Sequence, residues 1–227
     1  MNISSEVLQY TSNLDRVYSV GTNNHEHHSN NPDYIGILLQ PIVSNPSSWA
    51  GKNALDFGCG KGRNVDTMLY YSKWNSVDGV DISRSNIDYC RTLNRGNSLY
   101  YKNNGKDLAD LKSDHYDFVM STIVFQHISM YDLRKLLFGE IYRVMKVGGV
   151  FSFQMGYGST LSSKNSVSYF SNVVSESSNG NCDVVVSSEN EIIHDLSSIG
   201  FKDISTKIAN SWSDDNHKLW IYVTCKK

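Results

Sequence analysis

From Asn53 onward, short apolar runs alternate with amphipathic stretches, the pattern of a parallel sheet covered by helices on both faces. It predicts strands at Ala54–Phe57, Ser76–Val80, Leu99–Lys102, Tyr116–Ser121 and Val150–Gln154, with helices near Arg63–Tyr71, Arg84–Asn94 and Tyr131–Met145. Ser129 and Asp132 read as a capping pair for the last helix, and Gly148-Gly149 as its left-handed end. Upstream, Val7, Leu8, Leu14, Val17 and Tyr18 recur at helical spacing within Ser4–Val20, and Asn31-Pro32 opens a second helix running to Val43. Beyond Met155 the alternation stops. Gly156–Ser188 is rich in serine, asparagine and glycine and reads as a long loop or lid. Ser188-x-x-Glu191 then opens a helix to Ile199 with Gly200 as its stop, and Phe201–Ile208 and Lys218–Thr224 close the chain as an antiparallel pair. The expected organisation is an N-terminal helical part (1–48) and a main domain (49–227) with an insertion near 156–188.

Composition narrows the partners. A chain of 227 residues, 40% hydrophobic, can bury one substantial core. A net charge of −2 creates no global field toward phosphate backbones or anionic lipid, so neither DNA nor a membrane is expected as a partner. The four cysteines are isolated, giving no C-x-x-C half-site, and fit a reducing cytosol. The first residues are polar and no run approaches the ~18 apolar residues of a membrane span, so a soluble, unprocessed, cytoplasmic protein is expected.

Chemistry concentrates in Ala54-Leu55-Asp56-Phe57-Gly58-Cys59-Gly60-Lys61-Gly62-Arg63. An acid ends a buried strand, glycine follows at every second position, and a helix begins. Glycine is required where a ligand must touch backbone, and the helix N-terminus offers unpaired N–H groups to an anion. Asp81 closes the next strand, where an acid can accept hydrogen bonds from both hydroxyls of a ribose. A nucleoside-containing ligand is implied. A Walker A loop needs Ser or Thr after the lysine, but Gly62 follows Lys61; a dinucleotide fingerprint wants glycine where Arg63 stands.

Asp56-Phe57-Gly58-Cys59-Gly60-Lys61-Gly62 resembles motif I of the class I S-adenosylmethionine (SAM)-dependent methyltransferases, and Asp81 matches their ribose-binding acid. Asn104-Gly105-Lys106-Asp107-Leu108 resembles the loop that meets the adenine, Tyr116–Ser121 their fourth strand, and Tyr142–Phe151 the passage into the fifth. The resemblance covers about Asn53–Phe153, and is closest to methyltransferases of the small-molecule type. It implies an α/β, Rossmann-like three-layer sandwich with a seven-stranded, mostly parallel sheet, one antiparallel strand and an N-terminal helical lid. It further implies SAM as methyl donor, S-adenosylhomocysteine as product, and cofactor contacts from Asp56, Gly58, Cys59, Gly60, Gly62, Asp81, Ile82, Asp107, Leu108 and Ser121. Lys106 departs from the family, which favours small residues there.

Methyl transfer requires nucleophile and methyl to be held at near-attack distance away from water, and a base only where the acceptor must lose a proton. His127, after the fourth strand in Val124-Phe125-Gln126-His127-Ile128, reads either as that base or as a histidine fixing its loop. Tyr18, His25, His28 and Gln126 are candidates for the acceptor side. His25-x-His27-His28 lacks a completing ligand, so a solvated loop is expected there and no metal site. Tyr169-Phe170 either line an acceptor pocket or form a small local core. Ser121-Thr122-Ile123-Val124 is not the Asn/Asp-Pro-Pro-aromatic signature of nucleic-acid amino-methyltransferases, and none of Pro32, Pro41 and Pro46 precedes a cysteine, as the cytosine-C5 enzymes require. The expected acceptor is an O or N atom of a small molecule, with a peptide or structured RNA as the alternative. The rival readings are a nucleotide-dependent oxidoreductase and a SAM-binding module without turnover.

Overall fold

The computed structural model of the chain describes residues 5–20, 36–158, 166–172, 183–211 and 217–227. Its centre is a parallel run of strands, β1 (Asn53–Phe57), β2 (Ser76–Asp81), β3 (Tyr100–Lys102), β4 (Tyr116–Ser121) and β5 (Met145–Tyr157), in spatial order β3-β2-β1-β4-β5. Two further strands, β8 (Lys202–Asn210) and β9 (Leu219–Lys226), complete that side. β9 runs antiparallel to β5 and β8 lies outside it, so one strand of the sheet opposes the rest.

Pleating divides the core. Leu55, Phe57, Val119, Phe151 and Phe153 face one layer, formed by helices α1 (Ser5–Val20), α5 (Tyr131–Val144) and α6 (Glu189–Ile199). Ala54, Phe118 and Met120 face the other, with α3 (Arg63–Tyr71), α4 (Arg84–Thr92) and the Leu38–Trp49 segment, which contains the short helix α2 (Gln40–Val43). Burial on both faces explains why these strands read as apolar runs rather than alternating ones.

Several expectations change. Among the described residues the sheet has nine strands: the expected seven are joined by β6 (Ser166–Ser168) and β7 (Asp183–Val186), which add in parallel because the Gly156–Ser188 stretch is not all loop. β9 lines one edge of β5 from Val150 to Tyr157, so β7, which pairs with Gly156 and Tyr157, occupies the edge that β4 vacates after Ser121. The insertion therefore prolongs the sheet at the carboxyl end of β4. Gly148-Gly149 does not cap α5. The helix gives way directly to β5 at Met145, and the glycines lie in a bulge between the pairs Tyr116–Met145 and Phe118–Val150. Nor does Ser129 cap it: the Tyr131 N–H donates to Ser171 O (3.0 Å) and the Asp132 N–H to Asn172 Oδ1 (3.0 Å), so a distant segment supplies the acceptors. The Ser188/Glu191 capping box and the left-handed Gly200 stop on α6 are present. Of the expected second helix, residues 32–35 lie outside the described residues, and the rest breaks at Leu39 because Pro41 has no N–H to continue the ladder. In α1, Leu8 is exposed and Tyr10 takes the buried position beside Leu14.

Candidate functional site

At the carboxyl end of β1 the chain turns through Gly58, Gly60 and Gly62 at φ of 77°, 53° and 84° before α3 begins. What each faces differs. A Cβ on Gly58 would meet Val124 Cγ2 and one on Gly62 would meet Arg95 Nη1, whereas one on Gly60 would meet no atom of the described residues within 4 Å. Gly58 is thus covered by the segment after β4, and Gly62 by Arg95, which pairs with Asp66 at 2.6 Å. Gly60 alone of the three faces open space.

Two buried acids flank this turn. Asp81 accepts from the Gly60 N–H (2.8 Å) and the Ser83 N–H (2.7 Å), tying the open glycine to the cap of α4. Burial raises its pKa against the pull of those two hydrogen bonds. Neither carboxylate oxygen of Asp56 has a hydrogen-bond partner. Burial pushes its pKa up to about 7, with Arg63 and Asn64 opposing; Asn64 lies close enough to favour the charged form, but no hydrogen bond between them closes.

On the outer side of β2 is a cleft of about 200 Å³ lined by Val80, Tyr101, Asn103, Asp107, Leu108 and Leu111. Its loop is held from α5. Glu140 accepts from the Leu108 N–H (2.9 Å), while Arg143 donates to Leu108 O (2.8 Å) and Leu111 O (3.0 Å) and pairs with Glu140. The Arg143 hydrogen bond holds the Glu140 carboxyl below its ordinary range.

Opposite lies the segment after β4. Ser121 Oγ donates to Phe57 O (3.0 Å), fastening β4 to β1 just before the chain leaves the sheet. Ile123 follows at φ 57°, a conformation that costs a β-branched residue about 1–3 kcal/mol. Gln154 holds it there, accepting from the Ile123 N–H (2.9 Å) and donating to Gln126 Oε1 (3.1 Å). Phe125 anchors the turn in the core, its ring centroid 5.3 Å from Phe57 and 4.5 Å from Phe138. His127 is left half-buried beside the opening, with Nδ1 3.4 Å from Asp183 Oδ1. Helix α1 crosses these strand ends: Tyr10 Oη accepts from the Ser129 N–H (2.8 Å) and donates to His127 O (3.3 Å), Asp15 pairs with Lys102 (2.9 Å), and Ser85 Oγ donates to Ser19 O (3.1 Å).

A glycine turn and two buried acids at the carboxyl ends of β1 and β2 coincide with a family match: residues 55–153 fit the model described as a methyltransferase domain. Residues 55–153 are a class I SAM-dependent methyltransferase domain. The fold agrees. A SAM-dependent methyltransferase from Methanosarcina mazei superposes with a TM-score of 0.60 at 19% identity, covering 82% of this chain and 97% of that one. A Haemonchus contortus phosphoethanolamine N-methyltransferase, solved with phosphomonomethylethanolamine and S-adenosylhomocysteine, gives 0.63 at 17% identity over 96% of this chain and 60% of its own. The DhpI complex with S-adenosylhomocysteine gives 0.62 at 16% identity over 99% and 98%. Among curated proteins no sequence match was found.

The methyltransferase brings most of the sequence-derived candidates together. Asp56, Gly58, Cys59, Gly60, Gly62 and Asp81 form one turn, with Ile82 packed toward Gly105 and Thr11 at its edge. Cys59 and Cys90 both lie against Gly60 O (3.6 and 3.4 Å), supporting the turn from α4, and contact with Cys90 and burial raise the Cys59 pKa. Asp107 accepts from Asn104 Nδ2 at 3.0 Å. Gln126 is buried against Gln154, and Tyr18 packs on the core with α1. Tyr169 is core, donating to Asp195 (2.8 Å), while Phe170 is exposed. His25 and His28 lie outside the described residues. Among the described residues no cluster of metal-ligating side chains occurs and no helix is long and apolar enough to cross a membrane.

Sequence reasoning missed Tyr10, Arg134, the Glu140–Arg143 pair, Gln154, Asp183 and His217. Arg134 is fully buried and donates to Ile128 O and Tyr169 O, joining the turn after β4 to the insertion. A signal existed for it: Met130, Arg134, Leu137 and Ile141 share one helical stripe, and a cation on an apolar stripe calls for buried acceptors. Nothing local marked Asp183 or His217.

Proposed function

We propose that the protein transfers a methyl group from SAM to an oxygen or nitrogen atom of a small-molecule acceptor, with His127 as the general base. The observation that carries the donor half is the pairing of a buried, partnerless Asp56 with open space over Gly60. Both fit the group: a carboxylate lacking a partner suits a cationic amino-acid end, and a bare backbone suits close approach. Asp81, held by the Gly60 and Ser83 N–H groups at the end of β2, would receive the ribose hydroxyls. Ile82, Asp107 and Leu108 would border the adenine in the cleft beside β2, and Ser121 would hold the floor between the two halves.

When bound, SAM supplies an electrophilic methyl on a sulfonium. The protein's own work is to exclude water and align the acceptor. Val124 lies on Gly58, and this contact between the segment carrying His127 and the glycine turn supports a base beside the reacting groups. His127 takes the proton that an acceptor hydroxyl or ammonium must lose, and Tyr18 and Gln126 border the acceptor side. The buried free thiols Cys59, Cys90 and Cys225 support a reducing, cytoplasmic compartment.

Calorimetric titration with SAM and with S-adenosylhomocysteine tests the donor half, and both are expected to bind. Binding of neither overturns the reading. A screen of hydroxyl- and amine-bearing small molecules with labelled methyl donor then tests the acceptor half; labelling confined to protein or RNA overturns the small-molecule assignment.

A further inference from the structure

We propose that Asp183, contributed by the insertion, is the positioning residue of His127: it holds the imidazole by Nδ1 so that Nε2 is the nitrogen presented to the acceptor. This deepens the reading of His127 as base and rests on it. Asp183 opens β7, the strand that takes over the edge of β5 where β4 ends, which sets its carboxylate beside the turn carrying His127. Its Oδ1 lies 3.4 Å from His127 Nδ1 and 3.6 Å from His217 Nε2. The side chains of Asp183 and His217 are 2% and 1% exposed, against 21% for His127, so of the three only His127 is partly exposed.

The arrangement is built from three separate stretches of chain. His217 precedes β9, and its ring lies on the bare backbone of Gly156, where a Cβ would meet the ring at 2.2 Å. Any larger residue at 156 would displace His217 and with it one wall around Asp183. Tyr10 of α1 fixes the backbone of His127, and Arg134 of α5 fixes that of Ile128. Among the described residues, the titratable and charged groups that face His127 and its turn include Asp183, His217, Tyr10 and Arg134. A neutral imidazole facing a carboxylate through Nδ1 keeps its proton there, leaving the Nε2 lone pair to accept one; when His127 becomes charged, the 3.4 Å contact can shorten into a charge-assisted hydrogen bond. Two effects follow. The base has the correct tautomer before the acceptor arrives, and its protonated form is stabilised as the acceptor gives up its proton.

The test is nitrogen-edited NMR of the imidazole rings in the full chain, with the His127 signals assigned by their loss in His127→Gln. Neutral His127 is expected as the Nδ1–H tautomer, and in Asp183→Asn the two tautomers are expected to mix. With an acceptor from the screen, Asp183→Asn should lower kcat about tenfold or more, leaving the KM for SAM unchanged. An Nε2–H tautomer in the unaltered chain overturns the proposal without any variant, so a misfolded Asp183→Asn does not shield it. An unchanged Nδ1–H tautomer in a folded Asp183→Asn protein overturns it as well. Because the ring measurement needs no donor, an Nδ1–H tautomer in a chain that binds no SAM supports the pairing while overturning the methyl-transfer reading.

Discussion

The sides proposed for donor and acceptor are built in opposite ways. The donor side is a strand, a glycine turn and a helix, followed by a second strand that ends in Asp81. Its geometry follows from backbone conformations that glycine alone adopts cheaply and from acids at strand ends. The acceptor side is assembled from Tyr10, the turn around His127, Gln154, Asp183 and His217, which come from five separate parts of the chain. It also carries strain, at Ile123, that its neighbours must hold. A local motif tolerates change in its surroundings; an assembled cluster transmits changes made in any of its contributors.

The largest effect that sharpens this contrast is at Asp56. Its carboxyl ionises near pH 3.8 in the unfolded chain but only at about 7 in the folded one, so the unfolded state releases its proton first. The stability this group provides is complete below about pH 4 and is lost as pH rises through 7, on the order of 4 kcal/mol. Melting curves from pH 4 to 8 should show the unaltered protein losing stability relative to Asp56→Asn, and SAM should restore more of it at pH 8 than at pH 5.5. Equal pH dependence in the two proteins would remove Asp56 from the donor side.

Next comes Gly58→Ala, which places a Cβ against Val124 at a positive φ and so strikes where the two sides meet. A loss of about 3 kcal/mol, a fall of about 8 °C in Tm, and at least tenfold weaker SAM binding are expected. The same substitution at Gly60 should leave stability nearer the unaltered value and act mainly on binding, because nothing crowds it. His127→Ala should separate the sides cleanly, reducing turnover about 100-fold while the Kd for SAM stays within about threefold. The smallest effect is Tyr10→Phe. It leaves the buried Ser129 N–H without its acceptor and should cost about 1 kcal/mol in thermal or denaturant unfolding, with SAM binding unchanged within about twofold.

The same division governs how much of the molecule was legible in its sequence. The strands β1 to β4 and helices α3 to α6 read out closely, because apolar runs, helical spacing and the Ser188/Glu191 box act over a few residues, whereas β5 runs from Met145 to Tyr157, beyond the expected Val150–Gln154 at both ends. The α5 ends did not. The acceptors for its N-terminus come from Ser171 and Asn172, and its C-terminus passes straight into β5, so the glycines thought to cap it form a bulge instead. The insertion was misjudged for a related reason. A four-residue strand such as β7 is stabilised by the edge of β5 it finds, and its own composition carries little trace of that partner.

By itself, then, the sequence determined the donor turn, its two acids and the alternation that makes the sheet, since each depends on φ preferences and burial patterns written within a few neighbouring residues. Tertiary structure alone decided that the insertion lies against the end of β4, that α1 crosses the strand ends, and that Asp183 and His217 stand beside His127. Those contacts join residues as far apart as Tyr10 and His217, and they exist only once the sheet has brought distant edges within hydrogen-bonding reach.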